Sequence, residues 1–420
     1  MELNLYFHDR PCGVLHIDRE RMSFSYLPAY SSAGGPPISV VMPTDQHNWA
    51  DAIVFPFFEN LLPEGSIRQI LASRLGTSEN NFSRLLESTG GDVAGAISIH
   101  PPGQRETPHQ AALPPALTDH ELGQILEQIK TQPFLTNNTQ GMRLSLAGAQ
   151  SKLPVVIDQN GELHLTGQFA STHIIKPPSP RFPALVENEY LCMRAAARAG
   201  LITPQVALRN FVTADGQHHD CYVVQRYDRT TDGNTTSRLH QEDVCQITST
   251  VSAQKYTQDG GPGFGELFQV IRQHARPPAV HQQELVRRML FNLMIGNQDA
   301  HAKNFSLLHT RGGPTLAPAY DLVSTLIYEE LQQRFAMPIG HAWTINDLDS
   351  DALHEFQQST GINLRRQAKV LQRFISSALK AIELEATAVE QVCWPQSHPM
   401  LHQIVALSRR HANQLRQWLA

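Results

Sequence analysis

Cysteine is scarce in this chain. Five occur in 420 residues, at Cys12, Cys192, Cys221, Cys245 and Cys393. No two have the spacing of metal ligands, and an odd, scattered set fits no disulfide framework, so a cytoplasmic, reducing setting is expected. The twenty histidines form neither HExxH nor CxxC…HxxxH, so no motif of a zinc enzyme is present. No apolar run approaches the roughly 20 residues that a membrane helix needs. The first residues, MELNLYFHDRPCGVL, lack a basic stretch followed by an apolar core, so no secretory leader is expected. Excess charge of one sign is also missing. A net charge of −5 predicts no strong general affinity for nucleic acid, although it leaves room for a local basic patch. There is no G-x-x-x-x-G-K-[ST] loop and no internal repeat.

What is there belongs to a folded chain: 41% apolar and 17% charged residues. The length points to two domains or three lobes. ELNLYF (2–7) and GVLHI (13–17) alternate like strands of a small antiparallel sheet. FPFFENLLPEGSIRQILASRLG carries Leu61, Leu62, Ile67, Ile70, Leu71 and Leu75 at helical spacing, and Gly76 stops it. A second short helix covers ENNFSRLLEST, and AGAISIH is a strand. Residues 101–118 are rich in Pro, Gln and Ala and read as a linker. TDHELGQILEQI is a helix. Strands are expected at 153–157, 162–165, 172–176, 206–213 and 221–227, with a helix over 185–199; the remainder is mainly helical. A strand-rich lobe followed by a helical lobe is the outline of protein-kinase-type transferases.

The chemistry gathers around IGNQDAHAKNFSLL. Upstream, Leu285, Val286, Met289, Leu290, Leu293 and Met294 make a core-facing helical stripe that Gly296 ends. The loop that follows holds Asp299 and Asn304 in Asp-x-x-x-x-Asn spacing, then an apolar strand, then Asp321 in PAYDLVS. Phosphoryl transfer needs a carboxylate to orient the attacking hydroxyl and oxygen ligands for Mg²⁺. Asp299, Asn304 and Asp321 match that arrangement, with His301 and Lys303 available to contact phosphate or fix the loop. In SLAGAQSK, the small residues Ala147, Gly148 and Ala149 would let backbone N–H groups approach phosphates; a plain turn is the other reading. Lys176 ends the strand THIIK, where an unpaired ammonium is costly to bury. It suits a lysine on the α/β-phosphates, paired with Glu187 or Glu189; the other reading has it reaching solvent. VVQRYDR offers backbone at Gln225, Arg226 and Tyr227 for an adenine edge, or is simply a strand with a basic end.

Taken in order, SLAGAQSK, THIIKPP, VENEYLCMRAA, VVQRYDR, LHQEDVCQ, KYTQDGGPG, NQDAHAKNFSLL and LAPAYDLVS resemble the HipA family, the serine/threonine-kinase toxins of type II toxin–antitoxin systems. FFENLLPEGSIRQIL and GGDVAGAISI resemble that family's small N-terminal subdomain. The resemblance implies an α+β, two-lobed, protein-kinase-like fold. Its parts would be an N-terminal subdomain (1–110), a linker and helix (111–139), a strand-rich kinase N-lobe (140–240) and an all-helical C-lobe (241–420). It implies ATP and Mg²⁺ as cofactors, Asp299 as the catalytic residue, and Asn304 and Asp321 as metal ligands. Lys176 would be the phosphate lysine, Ala147, Gly148, Ala149, Gln150, Ser151 and Lys152 the phosphate loop, and Gln225 to Tyr227 the hinge. His301, Lys303 and Asn304 would line the nucleotide.

The resemblance further implies autophosphorylation at Ser145, where added negative charge would repel ATP phosphates and switch the kinase off. Position 151 departs from the family's common charged residue and offers Ser151 as a second acceptor. The implied partners are a HipB-like helix-turn-helix antitoxin and, through it, operator DNA. Arg365, Arg366, Lys369 and Arg373 form a small basic face that could touch phosphates or simply be solvated. Implied substrates are proteins such as aminoacyl-tRNA synthetases, glutamyl-tRNA synthetase among them. Two other readings compete: a small-molecule kinase of the aminoglycoside-phosphotransferase type, which uses the same Asp-x-x-x-x-Asn, and a non-catalytic corepressor.

Overall fold

The structure is a computed structural model and describes residues 1–18, 21–104, 113–131, 150–167, 169–232 and 235–420. Ser145, Ala147, Gly148 and Ala149 therefore lie outside the described residues. The chain divides into two compact units. The first holds residues 1–177, 210–252 and 308–310; the second holds 178–209, 253–307 and 311–420.

Among the described residues, the first unit contains two five-stranded sheets. One runs β4-β3-β2-β1-β5, from strands β1 (Glu2–Phe7), β2 (Arg10–Asp18), β3 (Arg21–Tyr26), β4 (Asn48–Trp49) and β5 (Ile97–His100). Its neighbours pair antiparallel, with an irregularity between Leu5 and Tyr6. Period-two patterning explains the packing: Leu3, Leu5 and Phe7 are buried on one face of β1. They meet Phe57 and Phe58 of the helix Asp51–Glu59 in one apolar cluster. The single helical run expected across residues 55–76 is two helices, Asp51–Glu59 and Gly65–Arg74. Pro63 cannot donate the N–H that a continuous helix needs, and Gly65 takes a left-handed φ of 53°.

The other sheet runs β7-β6-β8-β10-β9, from β6 (Leu153–Ile157), β7 (Leu163–Leu165), β8 (His173–Lys176), β9 (Val206–Val212) and β10 (His218–Gln225). Segments expected from residue type alone fall within a few residues of these bounds.

Within the first unit, the segment leading into β5 and the segment after β10 are joined by a buried ion network. Arg226 chelates Asp228 (Nη2 to Oδ2 2.8 Å), and Arg229 pairs with both Asp228 at 2.7 Å and Asp92 at 2.9 Å. Ser171 donates to Asp92 at 2.6 Å. Burial by itself would raise the Asp92 and Asp228 carboxyl pKa values, but the surrounding guanidinium groups outweigh it and hold both below the usual carboxylate range.

The second unit is mostly helical. Helices span Leu185–Arg198, Phe264–His274, Pro278–Ile295, Ser350–Thr360, Ala368–Glu390 and His398–Trp418. The expected all-helical C-terminal region carries a departure in the strands Ser306–Thr310 and Gly313–Leu316, where FSLL and PTL favour extended backbone. Arg194 and Arg198 both bond Glu385, which sits on the long helix Ala368–Glu390. No helix among the described residues is long and apolar enough to cross a membrane.

Candidate active site

The helix Pro278–Ile295 buries its whole expected stripe, from Leu285 to Met294. Gly296 ends it with φ 67°. A Cβ there would stand 2.8 Å from Leu407 Cδ2 and 2.9 Å from Leu326 Cβ, so both conformation and space call for glycine. The chain then turns into the Asp299 loop, which is fastened at several points. Asn297 donates to Asn292 Oδ1 at 2.9 Å, and its own Oδ1 accepts from the Asp299 amide at 3.0 Å. The Asn304 side-chain amide donates to the Asp299 carbonyl at 2.8 Å, closing the Asp-x-x-x-x-Asn segment into a ring. His301 N–H donates to the same carbonyl at 2.8 Å.

Two hydroxyls tie this loop to the segment that carries Asp321. Tyr320 donates to the Lys303 carbonyl at 2.7 Å and lies 2.7 Å from the Ser306 hydroxyl. Thr325 Oγ1 accepts from the Gln298 amide at 2.7 Å. The residue before Asp321 is thus bonded to the residue before Asn304. Beyond Asp321, the Ser324 amide donates to Asn188 Oδ1 at 2.9 Å, and Asn188 Nδ2 returns a bond to the Ser324 carbonyl. Asp321 itself has φ 58°, a left-handed conformation that Asp and Asn tolerate better than most residues.

The Asp299 side chain is 46% exposed. Tyr256 donates to its Oδ1 at 2.5 Å, and the Tyr256 ring stands edge-on to His301 at 5.1 Å. Tyr256 was not singled out from sequence, although the KYTQDGGPG segment that holds it was. A tyrosine's role as carboxylate partner depends on a contact 43 residues away, which no local pattern carries. His301 and Lys303 are buried, and Asn304 is half-buried. Because the Asn304 amide nitrogen faces the Asp299 carbonyl, its oxygen is the end left for a cation. With the Asp321 carboxylate this makes a hard oxygen donor set, which fits Mg²⁺ better than a soft metal.

In the first unit, Lys176 ends β8 with 7% exposure. Its Nζ lies 5.7 Å from the Tyr222 ring centre, on the strand position paired with it. Burial removes the reading in which Lys176 simply reaches solvent. Glu187 and Glu189 are buried on the helix Leu185–Arg198 of the second unit. Gln150, Ser151 and Lys152 are half-buried just ahead of β6. Of the three hinge positions, Arg226 is otherwise employed. Its amide donates to the Thr172 carbonyl at 2.9 Å and its guanidinium sits in the ion network, so neither is available to a nucleotide. Tyr227 is half-buried and its hydroxyl bonds Gln241. Arg365, Arg366, Lys369 and Arg373 are all exposed, and Val370 beside them is exposed as well.

Comparison with known families decides the kinship. The HipA-like C-terminal domain matches residues 144–383, and the HipA N-terminal domain matches residues 3–100. The chain belongs to the HipA family. It is accordingly a serine/threonine-protein kinase of the toxin–antitoxin kind. A Sinorhizobium fredii protein named as a candidate kinase, Y4mE, is 38% identical over 387 residues, 90% of each chain. The serine/threonine-protein kinase toxin HipA of Shewanella oneidensis is 29% identical over 401 residues, covering 90% of this chain and 89% of that one. A structure of Shewanella oneidensis HipA with HipB and its operator DNA superposes with a TM-score of 0.80 at 27% identity. It covers 99% of this chain and 96% of that one. The α+β, two-lobed protein-kinase-like fold expected from the sequence is the fold found.

Proposed function

We propose that this HipA-family kinase transfers the γ-phosphoryl group of ATP to a serine or threonine of a protein, with Asp299 as its catalytic carboxylate. The observation that carries this reading is the closed Asp299–Asn304 ring with Tyr256 fixed on one carboxylate oxygen. That contact leaves Oδ2 to accept the proton of the attacking hydroxyl. The new bond joins the substrate oxygen to the γ-phosphorus, and the bond to the leaving ADP oxygen breaks. Asn304 and Asp321 would hold Mg²⁺, which when bound neutralises charge on the phosphate oxygens. Lys176 contacts the α/β-phosphates, and Ala147 to Lys152 approach the phosphates through backbone N–H groups. His301 and Lys303 set the loop, and Gln225 and Tyr227 offer backbone to the adenine.

Regulation follows the same chemistry. Phosphate on Ser145 brings roughly −1.5 to −2 charge into the loop that should receive ATP, and so closes the kinase down; Ser151 is the second acceptor. A HipB-like antitoxin neutralises the toxin, with Arg365, Arg366, Lys369 and Arg373 facing operator phosphates. The HipB and operator DNA bound to the Shewanella protein support this assembly. The protein substrate is an aminoacyl-tRNA synthetase such as glutamyl-tRNA synthetase, whose inactivation would starve translation. Induced expression tests the reading: wild type should arrest growth, Asp299→Gln should not, and a matching antitoxin should relieve the arrest. Unimpeded growth with wild-type protein at full expression would count against it.

A further inference from the structure

Away from the candidate active site, the turn joining β6 to β7 brings Asp158, Glu162 and His164 together. One ligand atom from each lies within 4.8 Å of the other two. His164 is only 6% exposed. Its Nδ1 stands 2.7 Å from the Pro114 carbonyl oxygen. A carbonyl only accepts, so Nδ1 carries a ring proton, and in the neutral ring Nε2 is left with a lone pair. That Nε2 is buried and has no hydrogen-bond partner. Facing it at 3.8 Å is Asp158 Oδ2, beyond hydrogen-bond reach.

The gap has the right size for a cation. Two ligands held at roughly 2.0–2.2 Å from one ion stand about 3–4 Å apart. A buried lone pair opposed to a carboxylate is unfavourable unless a positive charge lies between them. The histidine is also oriented as metal-bound histidines are, with its far nitrogen donating to a backbone carbonyl. Asp158 is fixed in turn: its Oδ1 accepts from the amides of Asn160 at 2.9 Å and Glu162 at 2.8 Å. Its Oδ2 takes a longer bond from Asn160 Nδ2 at 3.2 Å. Glu162 is exposed and free to swing onto an ion.

We propose that His164, Asp158 and Glu162 form a binding site for a divalent transition-metal ion of the zinc class, with water completing the shell. An imidazole nitrogen in the donor set disfavours Mg²⁺ and Ca²⁺, which take oxygen ligands. Through His164 and Pro114, a bound ion fastens the segment before the helix Asp119–Thr131 to the β6–β7 hairpin. That hairpin starts immediately after Gln150–Lys152. Segment 114–117 already lies along β7, with the Leu117 amide donating to the Leu163 carbonyl at 2.7 Å.

The test uses purified full-length protein stripped with a chelator, in an Asp321→Gly background so that a cation at the candidate active site does not contribute. Titration with Co²⁺ should give visible d–d bands that saturate at about one ion per chain, and Zn²⁺ should displace them. Zn²⁺ should also raise the melting temperature, because it binds the folded state alone. Glu162→Gln, at an exposed position, should weaken binding by about tenfold or more without loss of fold, and His164→Gln should do the same. Equal Co²⁺ affinity in the Glu162→Gln variant and its parent, or no saturable binding by the parent, would overturn the site and leave His164 and Asp158 as a plain ion pair.

Discussion

The side-chain amide of Asn304 donates to the backbone carbonyl of Asp299 at 2.8 Å. One residue proposed as a metal ligand thus braces the loop that presents the proposed catalytic carboxylate. Loss of the carboxylate should be far more damaging than loss of the brace. Asp299→Gln is expected to lower kcat by roughly 10²–10⁴-fold, with ATP affinity changed little. Steady-state kinetics on a peptide or protein acceptor, with nucleotide binding measured separately, provides the check.

Tyr256 donates to Asp299 Oδ1 at 2.5 Å. A hydrogen bond to a charged group contributes about 1.5–3 kcal/mol, and its role here is to aim the carboxylate. Tyr256→Phe keeps the ring contact with His301 and removes only the hydroxyl. It should reduce kcat by about tenfold or more with little change in KM for ATP. A rise in KM at constant kcat would instead place Tyr256 in ground-state nucleotide binding.

Asp321 has the left-handed φ that glycine adopts at no steric cost. Asp321→Gly should therefore keep the fold, read by circular dichroism and melting, yet abolish Mg²⁺-dependent turnover. An unchanged turnover rate would remove Asp321 from the site.

The Arg226 network makes a prediction about stability. Arg226 is fully surrounded, and removing it leaves Asp228 short of its chelating partner and Asp92 short of one of its cations. Arg226→Met should destabilise the protein by roughly 3–5 kcal/mol, the cost of breaking a buried pair from one side. Denaturant unfolding would show this as a lower midpoint.

Acid should loosen the first unit. His240 Nε2 lies 2.8 Å from the Ile38 carbonyl, and its Nδ1 accepts from the Ala96 amide at 3.4 Å. That arrangement suits the neutral ring, since a second ring proton would face an N–H. Burial, helped by neighbouring His309 and His8 against the pull of Glu242, lowers its pKa from 6.5 to about 3. The unfolded chain therefore binds an extra proton between those values, so stability falls as pH drops from about 6.5 towards 3. Asp92 and Asp228, held low by their arginines, and Glu242, held low by His309, act in the same direction. Melting temperature followed from about pH 7 down to pH 4 should decline; a flat profile would contradict the assignment.

Much of this was legible in the residues because it is local. The Leu285–Met294 stripe, the Gly296 stop, the Asp299–Asn304 spacing and the extended FSLL run each sit within one turn or one strand, where periodicity and turn chemistry act. What escaped was long-range. Tyr256 on Asp299, Arg226 in its ion network and His164 facing Asp158 across a hairpin are products of tertiary packing. Arg226 shows the limit best: it lies in a strand end that reads as a hinge, but its amide and guanidinium are committed to Thr172, Asp92 and Asp228. The break at Pro63 was visible in sequence but overridden there by the apolar spacing on both sides.

Asp299 is the proposed carboxylate for phosphoryl transfer from ATP to protein by this chain. Phosphopeptide mass spectrometry after incubation with Mg²⁺-ATP, on wild type and Asp299→Gln in parallel, tests this role most directly. Phosphate should appear on Ser145 in the wild type and be absent from the variant. Equal labelling of the two proteins, or none in either, would contradict it.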